Sequence, residues 1–123
     1  MTRRRASRVA CRCALVAGLL AVTAAQGMSI RELRTLEAGE KDGKTYAGYY
    51  LVGVVEGLRE GAETAARAGQ KPPFCIENRR LEPAMARPLY QTELTRNADG
   101  YEADMPVQLV LAAALRNTYR CTR

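Results

Sequence analysis

Four cysteines carry the most reactive side chains of this 123-residue chain, and their positions decide which chemistry is open to them. Cys11 and Cys13 lie in an N-terminal segment with the features of an export signal, whereas Cys75 and Cys121 lie in the rest of the chain. If the signal is removed, the last two cysteines remain in an oxidising compartment, where disulfides form and persist. We therefore expect a Cys75–Cys121 disulfide; two free buried thiols, or a bond to another molecule, are the alternatives.

The chain lacks residues that many catalytic sites need. It contains no histidine, so a Ser–His–Asp or Cys–His nucleophile cannot be assembled. Its sequence has no zinc-type ligand cluster and no phosphate-binding or dinucleotide-binding glycine motif. Glu60 and Glu63 could in principle act as an acid–base pair, but charges at helical spacing are usually a solvated face. We expect a protein that is not an enzyme and that needs no cofactor or metal.

Residues 1–25 have the order of a secretory signal peptide: basic, then apolar, then small. Four arginines, at positions 3, 4, 5 and 8, precede a charge-free run of 13 residues from Cys13 to Ala25. A membrane-spanning helix needs roughly 20 residues, although a retained membrane anchor is the alternative. We expect cleavage after Ala24 or Ala25, which leaves residues 26–123 as one exported domain without a stable membrane anchor.

Cleavage would also remove most of the net positive charge. Five of the 19 basic residues and none of the 13 acidic residues lie in positions 1–25, so the formal charge falls from +6 to +1. No basic patch then remains to bind nucleic acid. The remaining 98 residues have a small core, and a disulfide that closes a 47-residue loop would stabilise it by roughly 4 kcal/mol.

The apolar spacing predicts four helices and no strand, and therefore an all-α domain resembling a small four-helix bundle. Ser29 and Glu32 match a capping box at the start of a first helix that ends at Gly39. Pro83 suits the first turn of a third helix, and Pro88 is expected to kink that helix or delay its start.

The fourth helix is expected to begin with Asp104 as its N-cap and Pro106 in its first turn. Its apolar positions recur at the spacing of a buried face. The predicted face consists of Val107, Val110, Leu111, Ala114, Leu115 and Tyr119.

The second helix is the longest, from about Thr45 to Ala68, and it carries two stripes at helical spacing. Gly53, Gly57 and Gly61 lie four residues apart and predict a bare groove, since each glycine costs about 1 kcal/mol relative to alanine in a helix interior. This helix-packing groove would receive a helix of the same chain or of a second subunit. The predicted buried face consists of Tyr46, Tyr49, Tyr50, Val54, Leu58, Ala62 and Ala65.

Three segments together resemble a known family. The chain has Tyr-Ala-Gly-Tyr-Tyr-Leu-Val-Gly-Val-Val-Glu-Gly at 46–57 and Phe-Cys-Ile at 74–76. It also has Pro-Val-Gln-Leu-Val-Leu-Ala-Ala-Ala-Leu at 106–115, followed by Tyr-Arg-Cys at 119–121. This order resembles the Rap/Tai family of immunity proteins, which protect bacteria against type VI secretion amidase effectors, and it covers about residues 29–121.

The resemblance implies a small periplasmic helical domain with a disulfide and a tendency to form homodimers. It also implies that the protein occludes the active-site cleft of a peptidoglycan amidase and needs no catalytic residue of its own. Tyr46 and Tyr49 are a second candidate contact patch, with core packing as their alternative role. The loop before the last helix offers the candidate partner-binding residues Arg96, Asn97, Asp99, Tyr101 and Glu102, with an ordinary solvated turn as the alternative.

A different function is also compatible with this sequence. A small periplasmic stress protein or chaperone of similar build would bind unfolded clients through apolar surface exposed on acidification. The absence of histidine disfavours this hypothesis, because the side chain that most readily changes charge near neutral pH is missing.

Overall fold

The computed structural model describes residues 26–77 and 79–122. The predicted signal peptide, residues 1–25, lies outside the described residues. Within them the chain forms four helices, α1 (Ile30–Gly39), α2 (Gly43–Arg67), α3 (Ala86–Arg96) and α4 (Val107–Thr118), and two 3₁₀ turns, Pro83–Met85 and Ala98–Gly100. The expected small all-α domain with one disulfide is confirmed.

The start of α1 is fixed by the predicted capping box. The Ser29 hydroxyl accepts a hydrogen bond from the backbone N–H of Glu32 at 3.2 Å. The Glu32 carboxylate accepts from the backbone N–H of Ser29 at 2.7 Å. Two amides that a helix leaves unpaired at its N-terminus are thereby satisfied, so the sequence pattern gives this boundary correctly.

The segment before α4 pairs with the residues that lead into α1. The amide of Ile30 donates to the carbonyl of Met105 at 3.0 Å, and the amide of Val107 donates to the carbonyl of Met28 at 2.9 Å. Residues 103–105 form a turn, and Pro106, which is extended and bridges to Ser29, is the N-cap of α4. The prediction that Asp104 caps α4 is therefore wrong.

Gly43 opens α2 at a place where the backbone of α1 leaves no room for a side chain. A Cβ atom at residue 43 would lie only 1.9 Å from the carbonyl oxygen of Leu36. The short connection from Glu40 to Asp42 turns the chain so tightly that only glycine fits there. The helix begins two residues before the predicted Thr45 and ends at Arg67.

The buried face of α2 differs from the predicted one. Its buried positions centre on Ala47, Leu51 and Val55, whereas Tyr46 is 54% exposed and Tyr49 is 73% exposed. The face that contains the small Ala47, and not the predicted face that contains Tyr46, meets the other helices. The expectation that Tyr46 and Tyr49 pack in the core is therefore wrong.

The third and fourth helices pack on α2 and on each other. Pro83 begins the 3₁₀ turn that leads into α3, and Pro88 lies in the first turn of α3, where its missing N–H has no helical partner to lose. The predicted face of α4 is confirmed, because all six of its residues are buried.

Beyond α4 the chain is crosslinked to the segment between α2 and α3. Cys75 and Cys121 form a disulfide with their Cα atoms 4.8 Å apart. The amide of Cys75 also donates to the carbonyl of Tyr119 at 2.8 Å. The guanidinium of Arg79 donates to the carbonyl oxygens of Cys75, Thr118 and Arg120 and lies 5.2 Å from the centre of the Tyr119 ring. These contacts hold the end of α4 over the buried ring of Phe74.

Replacing Gly43 by alanine should destabilise the fold by about 1–3 kcal/mol, because the new methyl group must displace backbone. Gly48→Ala is the matched control, since a Cβ at residue 48 meets nothing within 4 Å. That control should stabilise α2 by about 1 kcal/mol. Urea unfolding monitored by circular dichroism measures both changes. Equal stabilities for the two variants would contradict the close approach at Gly43.

Loss of the crosslink should lower the free energy of unfolding by about 4 kcal/mol, because the unfolded chain gains the freedom of an open loop. The Cys75→Ala/Cys121→Ala double variant and the reduced wild-type protein should therefore unfold at similar, lower urea concentrations. Reductant should leave the double variant unchanged, which controls for nonspecific effects. A wild-type midpoint that does not respond to reductant would show that the crosslink contributes nothing.

Candidate functional site

The loop between α3 and α4 is organised around a buried carboxylate, Glu93, which is only 4% exposed. Its Oε1 atom accepts hydrogen bonds from the side chains of Asn97 at 2.9 Å and Tyr101 at 2.8 Å. Its Oε2 atom accepts from the side-chain amide of Asn117, on α4, at 3.1 Å. One residue of α3 thus holds the end of its own helix, the following loop and α4 together.

These contacts also set the charge state of the site. Desolvation raises the pKa of Glu93, but the hydrogen bonds from Tyr101, Asn117 and Asn97 outweigh it, with help from the charge of Arg96, and the pKa lies below its ordinary value. Desolvation and the bond to Glu93 raise the pKa of Tyr101 to about 12. At neutral pH the carboxylate is therefore charged and the phenol keeps the proton that it donates.

Backbone hydrogen bonds give the same loop a defined shape. The amide of Asn97 donates to the carbonyl of Glu93 at 3.0 Å, and the amide of Gly100 donates to the carbonyl of Asn97 at 2.9 Å. The intervening residues form the 3₁₀ turn Ala98–Gly100. These hydrogen bonds lie within residues 93–100 and give the start of the loop a defined shape.

The five candidate partner-binding residues divide into two groups. Asn97 and Tyr101 hold the loop through their hydrogen bonds to Glu93, and the Tyr101 ring packs partly buried against the core. Arg96, Asp99 and Glu102 are exposed, and so is Asn97. All five lie on one segment, in which the three charged side chains make no hydrogen bond to Glu93.

The glycine groove on α2 faces outward. A Cβ atom added at Gly53, Gly57 or Gly61 meets nothing within 4 Å, and all three residues are exposed. Of the two alternatives for the groove, packing by another helix of the same chain is absent from the described residues. Packing by a second subunit stays a prediction. Tyr46 and Tyr49, also exposed, make the N-terminal half of α2 a partly aromatic surface.

The two carboxylates of α2 that could have formed an acid–base pair share a cation. Arg67 lies 2.6 Å from an oxygen of Glu60 and 3.7 Å from an oxygen of Glu63. The hydrogen bond from Arg67 and its positive charge, with a further hydrogen bond from Thr64, lower the pKa of Glu60. A carboxyl group in this setting holds a proton less readily than usual, which is unsuited to a general acid at neutral pH.

Glu93 and Asn117 are the site residues that the sequence analysis did not identify. Glu93 lies on the apolar face of α3, four residues before Asn97. A carboxylate at such a position indicates a buried side chain that needs hydrogen-bond partners. Asn117 lies 24 residues further along the chain, and no local pattern joins it to Glu93.

Comparisons of the chain with family models, with curated proteins and with solved structures found no match. Among the described residues, no group of three or more cysteine, aspartate or glutamate side chains is arranged to hold a metal ion. None of the described helices is both long enough and apolar enough to cross a membrane.

Glu93→Gln should destabilise the protein at neutral pH by about 1–3 kcal/mol, because the amide nitrogen cannot accept the hydrogen bonds that a carboxylate oxygen accepts. The substitution should also change the pH dependence. The folded-state pKa of Glu93 is lowered, so its contribution is present above the unfolded-state value and is lost as the pH falls through the lowered value. We expect stability to fall less steeply below about pH 5 in Glu93→Gln than in the wild type.

Urea unfolding at a series of pH values measures this difference. Glu102→Gln is the matched control, since it removes an exposed carboxylate of the same loop and should leave the slope of the profile unchanged. Other carboxylates with lowered pKa values, Glu32 and Glu60, contribute equally to wild type and variants. Parallel profiles for wild type and Glu93→Gln would show that the carboxylate is not coupled to folding.

Proposed function

We propose that this protein is a periplasmic immunity protein that binds a type VI secreted peptidoglycan amidase and occludes its active-site cleft. The resemblance of residues 46–57, 74–76, 106–115 and 119–121 to the Rap/Tai family suggests this function. The observation that carries the proposal is the ordered polar loop built on Glu93. The signal peptide and periplasmic location belong to the same proposal, and a disulfide is a crosslink that persists in that oxidising compartment.

Occlusion of a cleft favours an inhibitor whose contact segment is already ordered. Association costs free energy for every side chain and loop that must be immobilised, so a segment fixed beforehand loses less on binding. The hydrogen bonds to Glu93 and the 3₁₀ turn after α3 fix residues 96–102 in this way. The inhibitor then needs no chemical group that reacts with the amidase.

The exposed charges of this loop give the contact its specificity. Arg96 supplies donors, while Asp99 and Glu102 supply acceptors, and all three are exposed. Charged side chains at the rim of an interface steer the encounter and discriminate against wrong partners. The buried hydroxyl contact of Tyr101 fixes the base from which these side chains extend.

The gene of an immunity protein is expected to lie beside the gene of its effector, so an amidase encoded next to this gene is the partner with which to test the proposal. The wild-type protein should bind this amidase tightly and stop its hydrolysis of peptidoglycan. The Asp99→Arg/Glu102→Arg variant should bind about tenfold to hundredfold more weakly, because it reverses two charges at the contact. Calorimetry measures the affinity, and release of soluble peptide from purified cell wall measures the inhibition.

A matched control is the Glu40→Arg/Glu63→Arg variant, which reverses two exposed charges away from the loop and should inhibit like the wild type. Failure of the wild-type protein to inhibit the amidase would refute the proposed function. Undiminished inhibition by Asp99→Arg/Glu102→Arg would instead leave the function and reject this loop as the contact.

A further inference from the structure

A mostly apolar surface cavity of about 270 Å³, open to solvent, lies between α3 and α4, next to the Glu93 cluster. Met85, Leu89 and Ala114 contribute apolar walls, and Glu93 and Arg96 contribute charged groups. Small-molecule sites are typically concave and apolar, with a few polar groups that orient the ligand. This cavity has that composition.

The two charges of the cavity are not paired with each other. Glu93 and Arg96 lie three residues apart on α3 and line the same cavity, yet no ion pair joins them. Glu93 is held by three neutral donors, and among the described residues no carboxylate lies within ion-pairing distance of the Arg96 guanidinium. An anionic and a cationic group therefore line one apolar space without forming an ion pair, although they are close enough for the charge of Arg96 to lower the pKa of Glu93.

Glu93 keeps capacity for another donor. A carboxylate offers about four acceptor positions, and three donors occupy Glu93, two on Oε1 and one on Oε2. An ammonium group could take the remaining position on Oε2. No acceptor among residues 26–77 and 79–122 takes a hydrogen bond from the Arg96 guanidinium, which can bind a carboxylate through two parallel hydrogen bonds.

We propose that this cavity binds a small zwitterion with an apolar side chain, a free amino acid of about the size of leucine. Its ammonium group would contact Glu93, its carboxylate would contact Arg96, and its side chain would lie against Met85 and Leu89. At about 270 Å³ the cavity lies just below the usual volumes of small-molecule sites, which favours a small ligand such as a free amino acid.

Other ligand classes satisfy the cavity less well. A ligand with only a carboxylate brings a second negative charge next to Glu93, and no ammonium compensates it. A ligand with only an ammonium brings a second positive charge next to Arg96, and no carboxylate compensates it. A neutral apolar ligand leaves both protein charges without an ionic partner while it displaces their water, which costs free energy. Only a zwitterion pairs both charges at once.

The proposed site goes beyond amidase inhibition and does not require it. Arg96 also belongs to the candidate partner-binding loop, so a bound amino acid would lie at the edge of that surface. The zwitterion site can be tested on the isolated protein, and its outcome is independent of whether an amidase binds.

The experiment titrates the protein with leucine at neutral pH and follows backbone amide signals by NMR. Three matched probes separate the contributions: 4-methylpentanoate lacks the ammonium, 3-methylbutylamine lacks the carboxylate, and glycine lacks the apolar side chain. Leucine should give saturable shifts at Leu89, Thr92 and Asn117, with an affinity at least about tenfold higher than that of any of the three. Absent shifts at these residues, or equal binding of leucine and a singly charged probe, would overturn the proposal.

Two variants test the assigned contacts. Arg96→Gln should weaken leucine binding about tenfold or more, because it removes the charge that pairs with the ligand carboxylate. Glu93→Gln should weaken leucine binding similarly, provided that this variant folds. If it does not fold, Arg96→Gln alone decides the test, since Arg96 lies at the surface. Arg34→Gln on α1 is the charge-matched control and should bind leucine like the wild type. Unchanged binding by Arg96→Gln would refute the site.

Discussion

A carboxylate removed from water must be compensated by hydrogen bonds, and much of the region around α3 and α4 depends on how Glu93 meets this requirement. Burying an ionised group without partners costs several kcal/mol in a protein. The three donors that compensate Glu93 come from the end of α3, the following loop and α4. The relative positions of these three segments are thus tied to one charge, and so is the order of the surface at residues 96–102.

The fourth helix is fixed at both of its ends by different means. At its N-terminus the backbone pairs with residues 28–31, and beyond its C-terminus Cys121 is bonded to Cys75. Arg79 adds three carbonyl contacts at this second end, which do not depend on the oxidation state of the sulfur atoms. The helix that supplies Asn117 to the Glu93 cluster is therefore held rigidly, and a rigid α4 keeps the donor in place.

The parts of the fold that could be predicted from the sequence are those decided by local interactions. The Ser29–Glu32 capping box joins residues three apart, and the buried face of α4 is formed by apolar residues at helical spacing. The disulfide was predictable because only two cysteines follow the apolar N-terminal segment. In each case the neighbouring residues carry the information.

The remaining features depend on distant parts of the chain. Asp104 has a good local propensity to cap a helix, but the pairing of residues 103–106 with α1 overrides it. The predicted face that includes Tyr46 and the observed face that includes Ala47, Leu51 and Val55 both have helical spacing. The helices that pack on α2 decide which of the two is buried. The Glu93 cluster joins residues up to 24 positions apart, so α3 alone could not reveal it.

The pairing between residues 28–31 and 103–107 has a kinetic consequence. Because a segment near the beginning of the domain and one near its end must meet before α1 and α4 are both anchored, a large chain loop has to close early in assembly. Native contacts of this long range slow folding relative to a bundle joined only by neighbouring helices. During synthesis a partly emerged chain lacks residues 103–107, with which residues 28–31 pair. The fold can therefore be completed only after these late residues have been made.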